Sequence, residues 1–231
     1  PVFHAVAVCR WCRGRFTRIY DSQWICETEA CAKRQIAAAL MRSEPKDGES
    51  PYLYLPLPVQ VDVEESKVTH LLLAGAAGTS KSHGARWMLY KFARKIPGFR
   101  ALLLRCTYDE LTKNHLQYMH ADADALGNGA KFSMGTPKVM TVPHPDGNHA
   151  MIYAGFCDDL SDIPKHIGAE WDAIVPDEGV TYLPKALNEI TARARGSVTG
   201  RENMRRAGYE PFSRIPSNPG GRAMLYLHDH Y

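Results

Sequence analysis

Gly75-Ala76-Ala77-Gly78-Thr79-Ser80-Lys81-Ser82 stands between an apolar run, Val68 to Ala74, and a segment in which Ala85, Met88, Leu89, Phe92, Ala93 and Ile96 recur at three- and four-residue steps. The run suits a buried strand. The spacing predicts an amphipathic helix, which Pro97-Gly98 ends. Strand, small-residue turn and helix in that order suit an anion-binding concavity. Small residues let backbone N–H groups approach a phosphate, and the helix N-terminus adds partial positive charge. The general phosphate-loop pattern is glycine, four residues, glycine, lysine, then serine or threonine. Gly75, Lys81 and Ser82 fit it; Ser80 departs, and must take a backbone shape that glycine adopts more readily. Gly75, Ala76, Ala77, Gly78, Thr79 and Ser80 are the expected phosphate cradle. Lys81 supplies a full positive charge and the Ser82 hydroxyl is an expected Mg²⁺ ligand. The plainer alternative is a turn that only joins a strand to a helix.

About a hundred residues on, Trp171-Asp172-Ala173-Ile174-Val175-Pro176-Asp177-Glu178 is a short apolar run ending in two carboxylates. At a strand end both can face one crevice, Asp177 to hold Mg²⁺ and Glu178 to orient and deprotonate a water. The rival reading is an acidic pair capping a strand at the surface. Ala101 to Leu104, Met151 to Phe156 and Ala173 to Val175 read as strands, and Lys185 to Arg195 as a helix. Gly127 to Asn148, rich in glycine, proline and short polar residues, reads as a hairpin or loop excursion. Strands alternating with helices predict a mainly parallel sheet covered on both faces; with the phosphate loop and the acidic pair, this α/β fold resembles that of P-loop NTPases (ASCE/RecA-like).

The chain has 231 residues, 45% of them hydrophobic and 23% charged, which is ordinary globular composition and excludes disorder as the default. A net charge of +3 says little by itself. No apolar run approaches bilayer length, so a soluble protein of a reducing cytoplasm with no membrane partner is expected. Four of six cysteines fall in the first 31 residues: Cys9-x-x-Cys12, then Cys26 and Cys31. Two pairs at that spacing suit one tetrahedral Zn²⁺ site, against two disulfides or free thiols. A helix from Ala32 to Arg42 would dock on it, giving a zinc-ribbon or treble-clef-like module over 1–42. The polar segment 43–51 reads as a linker, and 52–231 as the phosphate-loop domain. Arg10, Arg13, Arg15 and Arg18 are mixed with Trp11, Phe16 and Trp24. Such a surface can grip phosphates and stack bases; contact with another protein is the rival.

The order of motifs resembles the ATPase domain of tailed-phage terminase large subunits. Leu57-Pro58-Val59-Gln60 stands where that family keeps an adenine-sensing glutamine. After the phosphate loop, Leu102 to Leu111, which contains Arg105-Cys106-Thr107, is similar to its strand-plus-Arg-x-Thr segment. Ile190 to Arg195 resembles its arginine-bearing helix. Ser217-Asn218-Pro219-Gly220-Gly221 resembles its coupling motif, which senses the γ-phosphate and links hydrolysis to movement; a plain turn is the alternative. The resemblance covers roughly 52–231. It implies ATP and Mg²⁺ as cofactors and Glu178 as catalytic base. It also implies a transition-state arginine, with Arg105 first among Arg86, Arg105, Arg193 and Arg195. The activity implied is ATP-driven translocation of double-stranded DNA into a procapsid in the host cytoplasm. The partners implied are a portal protein, a small terminase subunit and further copies in a ring. The family's nuclease domain is not expected within this chain. A helicase-type translocase and a non-hydrolysing nucleic-acid-binding scaffold are the competing readings.

Overall fold

The computed structural model describes Cys9 and residues 12–20, 23–42, 44–75 and 78–231. By contacts it divides into two compact units, Pro1–Ser66 and Lys67–Tyr231.

In the first unit an antiparallel hairpin, β1 (Phe16–Tyr20) and β2 (Gln23–Cys26), precedes helix α1 (Glu29–Ala38). Gln35, fully buried on α1, ties the unit together. Its Oε1 accepts the Cys26 N–H, and its Nε2 donates to the carbonyls of Trp24 and Pro56. Helix α1 stops before the expected Arg42, because β3 (Leu40–Met41) pairs antiparallel with β4 (Tyr52–Tyr54). The segment 43–51, expected as an interdomain linker, therefore lies inside a hairpin connection of this unit. Helix α2 (Pro58–Glu65) follows, with Arg34 of α1 bridging to its Asp62 and Glu65. The contact boundary thus falls near residue 66, some fifteen residues later than composition placed it.

The second unit is built on seven strands. In chain order its elements are β5 (His70–Ala74), α3 (Lys81–Lys95), β6 (Arg100–Arg105), α4 (Tyr108–Leu111), a π-helical turn (Thr112–Leu116) and α5 (Gln117–Leu126). Then come β7 (Lys131–Ser133), β8 (Lys138–Pro143), β9 (His149–Phe156), α6 (Pro164–Ile167) and β10 (Ala173–Pro176). A 3-10 turn (Gly179–Thr181), α7 (Pro184–Thr191), α8 (Val198–Arg206), β11 (Phe212–Ser217) and α9 (Met224–His230) complete it. The sheet order is β5-β11-β10-β6-β9-β8-β7. Five strands are parallel; β8 and β7 continue the sheet antiparallel, so the glycine-rich excursion is a hairpin. One strand, β11, lies between β5 and β10, as an additional-strand (ASCE) core requires.

Helix α3 buries Ala85, Met88, Leu89, Phe92 and Ala93, the predicted face. On β6, Ala101 to Leu104 are at most 2% exposed, as expected for a strand covered on both faces. The run before the phosphate loop is not buried as expected: β5 is the sheet's edge, and Leu71 to Leu73 are only half-buried. Helix α7 ends at Thr191, short of Arg195; Gly196 takes φ +63° and the chain turns away. Among the described residues no helix is long and apolar enough to cross a membrane.

Candidate nucleotide site and cysteine cluster

Parallel strands all end on one side of their sheet, and loops there form the crevice in which ligands of α/β folds sit. The structure delivers four strand ends of the second unit to one such place. From β5 the chain passes through Gly75 into the loop, and α3 begins at Lys81 with Ser80 just before it. Ser80 takes the left-handed conformation, φ 56° and ψ 26°, as its replacement of glycine required. Ala76 and Ala77, two of the expected cradle residues, lie outside the described residues. Gly78, Thr79 and Ser80 are exposed.

Lys81 curls its ammonium back across the loop. It donates to the Gly75 carbonyl at 2.9 Å, the Thr79 hydroxyl at 3.1 Å and Asn218 Oδ1 at 2.7 Å. Burial lowers its pKa, and the nearby charges of Glu178 and Asp177 oppose that shift without cancelling it.

At the end of β10, Asp177 is 1% exposed and Glu178 half-exposed. Glu178 adopts φ 60° and ψ 55°, a left-handed shape that costs a non-glycine residue roughly 1–2 kcal/mol. Its carboxylate accepts both the backbone N–H of Asn218, at 3.0 Å, and its side-chain amide, also at 3.0 Å. Asn218 therefore bridges Lys81 and Glu178. The Ser82 hydroxyl lies near enough to Asp177 to help hold its pKa down. Asp177 Oδ2 receives Arg105 Nη1 at 3.0 Å and His115 Nε2 at 3.0 Å. Burial alone would raise the Asp177 pKa; the His115 hydrogen bond and the Arg105 charge more than offset it and hold the carboxylate below its usual value. The lysine–serine step and the acidic pair thus converge, as sequence spacing demanded.

Arg105, expected as a transition-state arginine, is 7% exposed and committed to Asp177, with Glu178 at 3.9 Å. In this conformation it positions the acidic pair. The other candidates divide. Arg86 is buried against Asp122 at 2.5 Å, while Arg195 is exposed and donates to the Ala192 carbonyl. Gln60 belongs to the first unit. It is buried, and its Oε1 accepts from the Leu57 N–H at 2.7 Å and Tyr54 OH at 3.1 Å.

The string Ser217 to Pro219 borders the crevice. Ser217 is buried and its hydroxyl accepts the Val180 N–H at 3.1 Å. Gly221 has φ +88°, and a Cβ there would lie 2.6 Å from the Val180 carbonyl oxygen, so only glycine lets the turn pass. An apolar cleft of about 430 Å³ opens beside Gly75 and Asn218, bordered by Leu72, Val180, Met224 and Leu227. Sequence reading missed His115. No periodicity marks it, and only Thr107-x-x-Glu110, a helix-start pattern realised by Thr107 accepting the Glu110 N–H, announces the helical stretch that carries it.

A carboxylate and a hydroxyl in contact, both hard oxygen donors beside a phosphate-loop lysine, suit Mg²⁺. In the first unit Cys9, Cys12, Cys26 and Cys31 bring their sulfurs within 4.8 Å of one another. All four are free thiols, which leaves the two-disulfide alternative without support. Sulfurs about 2.3 Å from a zinc ion form a tetrahedron with edges of about 3.8 Å, so the cluster fits such an ion. Its knuckle is set by backbone: Cys9 N–H donates to the Gly14 carbonyl and Arg13 N–H to that of Cys9. A Cβ on Gly14 would lie 2.3 Å from Thr28 Oγ1. Around it Arg13, Arg15 and Arg18 are exposed and Trp24 is 42% exposed; Arg10 and Trp11 lie outside the described residues.

Strand order, phosphate loop and paired carboxylates define the class: an α/β P-loop fold of the additional-strand type. Solved structures similar to this chain include phage large terminases. The large terminase of a thermophilic bacteriophage matches with a TM-score of 0.57 at 16% identity, over 74% of this chain and 41% of that one. The same phage protein in complex with ADP gives 0.51 at 16% identity, over 74% and 41%. A mutant of the Thermus phage P74-26 large terminase ATPase domain gives 0.50 at 15% identity, over 75% and 69%. At such identities the likeness establishes the fold. This chain spans about two fifths of the length of the first of these terminases. No protein-family model and no curated protein matches it.

Proposed function

We propose that this chain binds ATP with Mg²⁺ and hydrolyses it as the motor portion of a viral DNA-packaging terminase. The observation that carries the reading is the bridge from Lys81 through Asn218 to Glu178, with Ser82 acting on Asp177 beside it. In this reading Lys81 turns from Asn218 to the β- and γ-phosphates, and Gly75 to Ser80 offer backbone N–H groups to them. Ser82 and Asp177 hold Mg²⁺, which when bound neutralises phosphate charge. Glu178 takes a proton from the attacking water as its oxygen bonds to the γ-phosphorus and the bridging P–O bond breaks to release ADP. Asn218, freed from one partner, reports the change to β11 and the Pro219-Gly220-Gly221 turn. Arg105 remains the proposed transition-state arginine on release from Asp177. Double-stranded DNA is the proposed polymer, with portal, small subunit and further copies in a ring as partners at the procapsid in the host cytoplasm. In the first unit the four cysteines hold structural Zn²⁺, and the arginines around them face DNA.

DNA-stimulated ATP hydrolysis tests the reading. Glu178→Gln keeps nucleotide binding and loses turnover by at least about a hundredfold, the usual worth of a general base. Normal hydrolysis by that variant would remove Glu178 from the role. Unwinding of a forked duplex by the wild-type protein would move the function to a helicase.

A further inference from the structure

Two donors, Arg105 and His115, meet Asp177 Oδ2, and the second has no part in the site as sequence reading drew it. His115 is fully buried and lies on the single π-helical turn between α4 and α5. Such turns are rare insertions, frequently found where function needs a side chain re-aimed. Here the turn is fastened from both sides. Arg86 of α3 donates through Nη1 to the Asn114 carbonyl at 3.3 Å, and Asn114 Nδ2 donates to the Glu110 carbonyl at 2.8 Å. The imidazole makes one hydrogen bond, from Nε2 to Asp177 Oδ2; its buried Nδ1 meets no partner among the described residues. A carboxylate only accepts, so Nε2 carries the proton. Leaving a buried ring nitrogen unpaired is costly. Packing alone would be served better by leucine. Arg105 meets the same oxygen as His115, so neither donor occupies Asp177 Oδ1.

We infer that His115 is a positioning residue for the metal: it pins one oxygen of Asp177 so that the other faces Mg²⁺ beside Ser82. This rests on the nucleotide-site reading above and adds a residue to it. Hydrogen-bond partners behind a ligating group typically hold a tenfold to hundredfold share of metal affinity.

The test is a Mg²⁺ titration of fluorescent ADP binding to the full chain, with binding in EDTA as reference. His115→Leu raises the half-saturating Mg²⁺ concentration by about tenfold or more, while affinity in EDTA stays at the wild-type value. His115→Gln, whose Nε2 reproduces the ring donor, restores Mg²⁺ dependence; His115→Asn, too short to reach Asp177, does not. Wild-type Mg²⁺ dependence in the Leu and Asn variants overturns the inference. If those variants fail to fold, the wild-type protein labelled with ¹⁵N-histidine decides: Mg²⁺ with ADP shifts the His115 Nε2 signal, and an unmoved signal overturns it. Absence of any metal-dependent ADP binding in the wild type counts against the nucleotide site itself; normal wild-type binding with unmoved variants counts against His115 alone.

Discussion

Asp172 stands just before β10 and shows how one buried carboxylate shapes stability. It is 2% exposed; Oδ2 accepts the Arg100 N–H at 2.9 Å, and Oδ1 has no hydrogen-bond partner. Gly196 and Gly200 crowd it so closely that a Cβ on either would lie within 2.7 Å of Oδ1. Burial raises its pKa from 3.8 to about 6. A raised acid pKa means the fold binds the proton more tightly than the unfolded chain does. This group therefore penalises the fold increasingly as pH climbs from about 4 to about 6, and fully above that. Asp172→Asn is expected to gain stability on the order of 2 kcal/mol at pH 8 and almost none at pH 4. Urea denaturation at the two pH values checks it; an equal effect at both would mean the charge is not what matters. The residues sequence reading named were those whose chemistry a motif announces: Lys81, Ser82, Asp177, Glu178 and Asn218 meet in space. His115 and Asp172 were illegible because their roles come from burial and from partners 62 and 72 residues away in sequence.

Among the elements, those with one simple pattern were legible and those with mixed chemistry were not. Helix α3 and strands β6, β9 and β10 follow their apolar spacing to within two residues, α3 apart, which starts earlier at Lys81. Strand β11 was missed although all six of its residues are buried. Arg214 and Pro216 disguise it. The guanidinium of Arg214 is satisfied by the carbonyls of Val68 and Ser213, and burial lowers its pKa to about 10. The stretch 108–126 was missed because α4, the π-helical turn and α5 break the 3.6-residue period. That stretch is locked to α3 by Arg86, whose Nε meets Asp122 Oδ2 at 2.5 Å, with Tyr90 OH on the same oxygen at 3.0 Å. Arg86→Ala leaves a buried carboxylate unpaired and is expected to cost about 3–5 kcal/mol in denaturant melts. A loss under about 1 kcal/mol, the range of exposed pairs, would show that the pair is solvated in solution.

For the whole molecule, two units with different sources of stability should answer differently to chemistry. The second has a seven-stranded sheet and a large core; the first has about sixty residues and a four-thiol cluster. A unit that small gains much of its stability from a metal staple. The purified protein is expected to carry one zinc per chain by elemental analysis, and Cys26→Ser to lose it. Chelation should then unfold the first unit, seen as a low-temperature transition in calorimetry, while that of the second unit is retained. A chelator-insensitive trace would place the first unit's stability in its hydrogen-bonded core around Gln35.

The pairing of β10 with β11 runs only through Ala173–Phe212 and Ile174–Ser213. Pro176 and Pro216, which have no N–H to offer, sit beyond it. The two strands therefore resemble the prongs of a fork, joined at the handle and, at the tips, held by side-chain contacts such as the clasp of Glu178 on Asn218. Breaking that clasp would cost no ladder hydrogen bond between the two tips. Proline, usually an intruder in a sheet, here stands where the ladder between two neighbouring strands gives out.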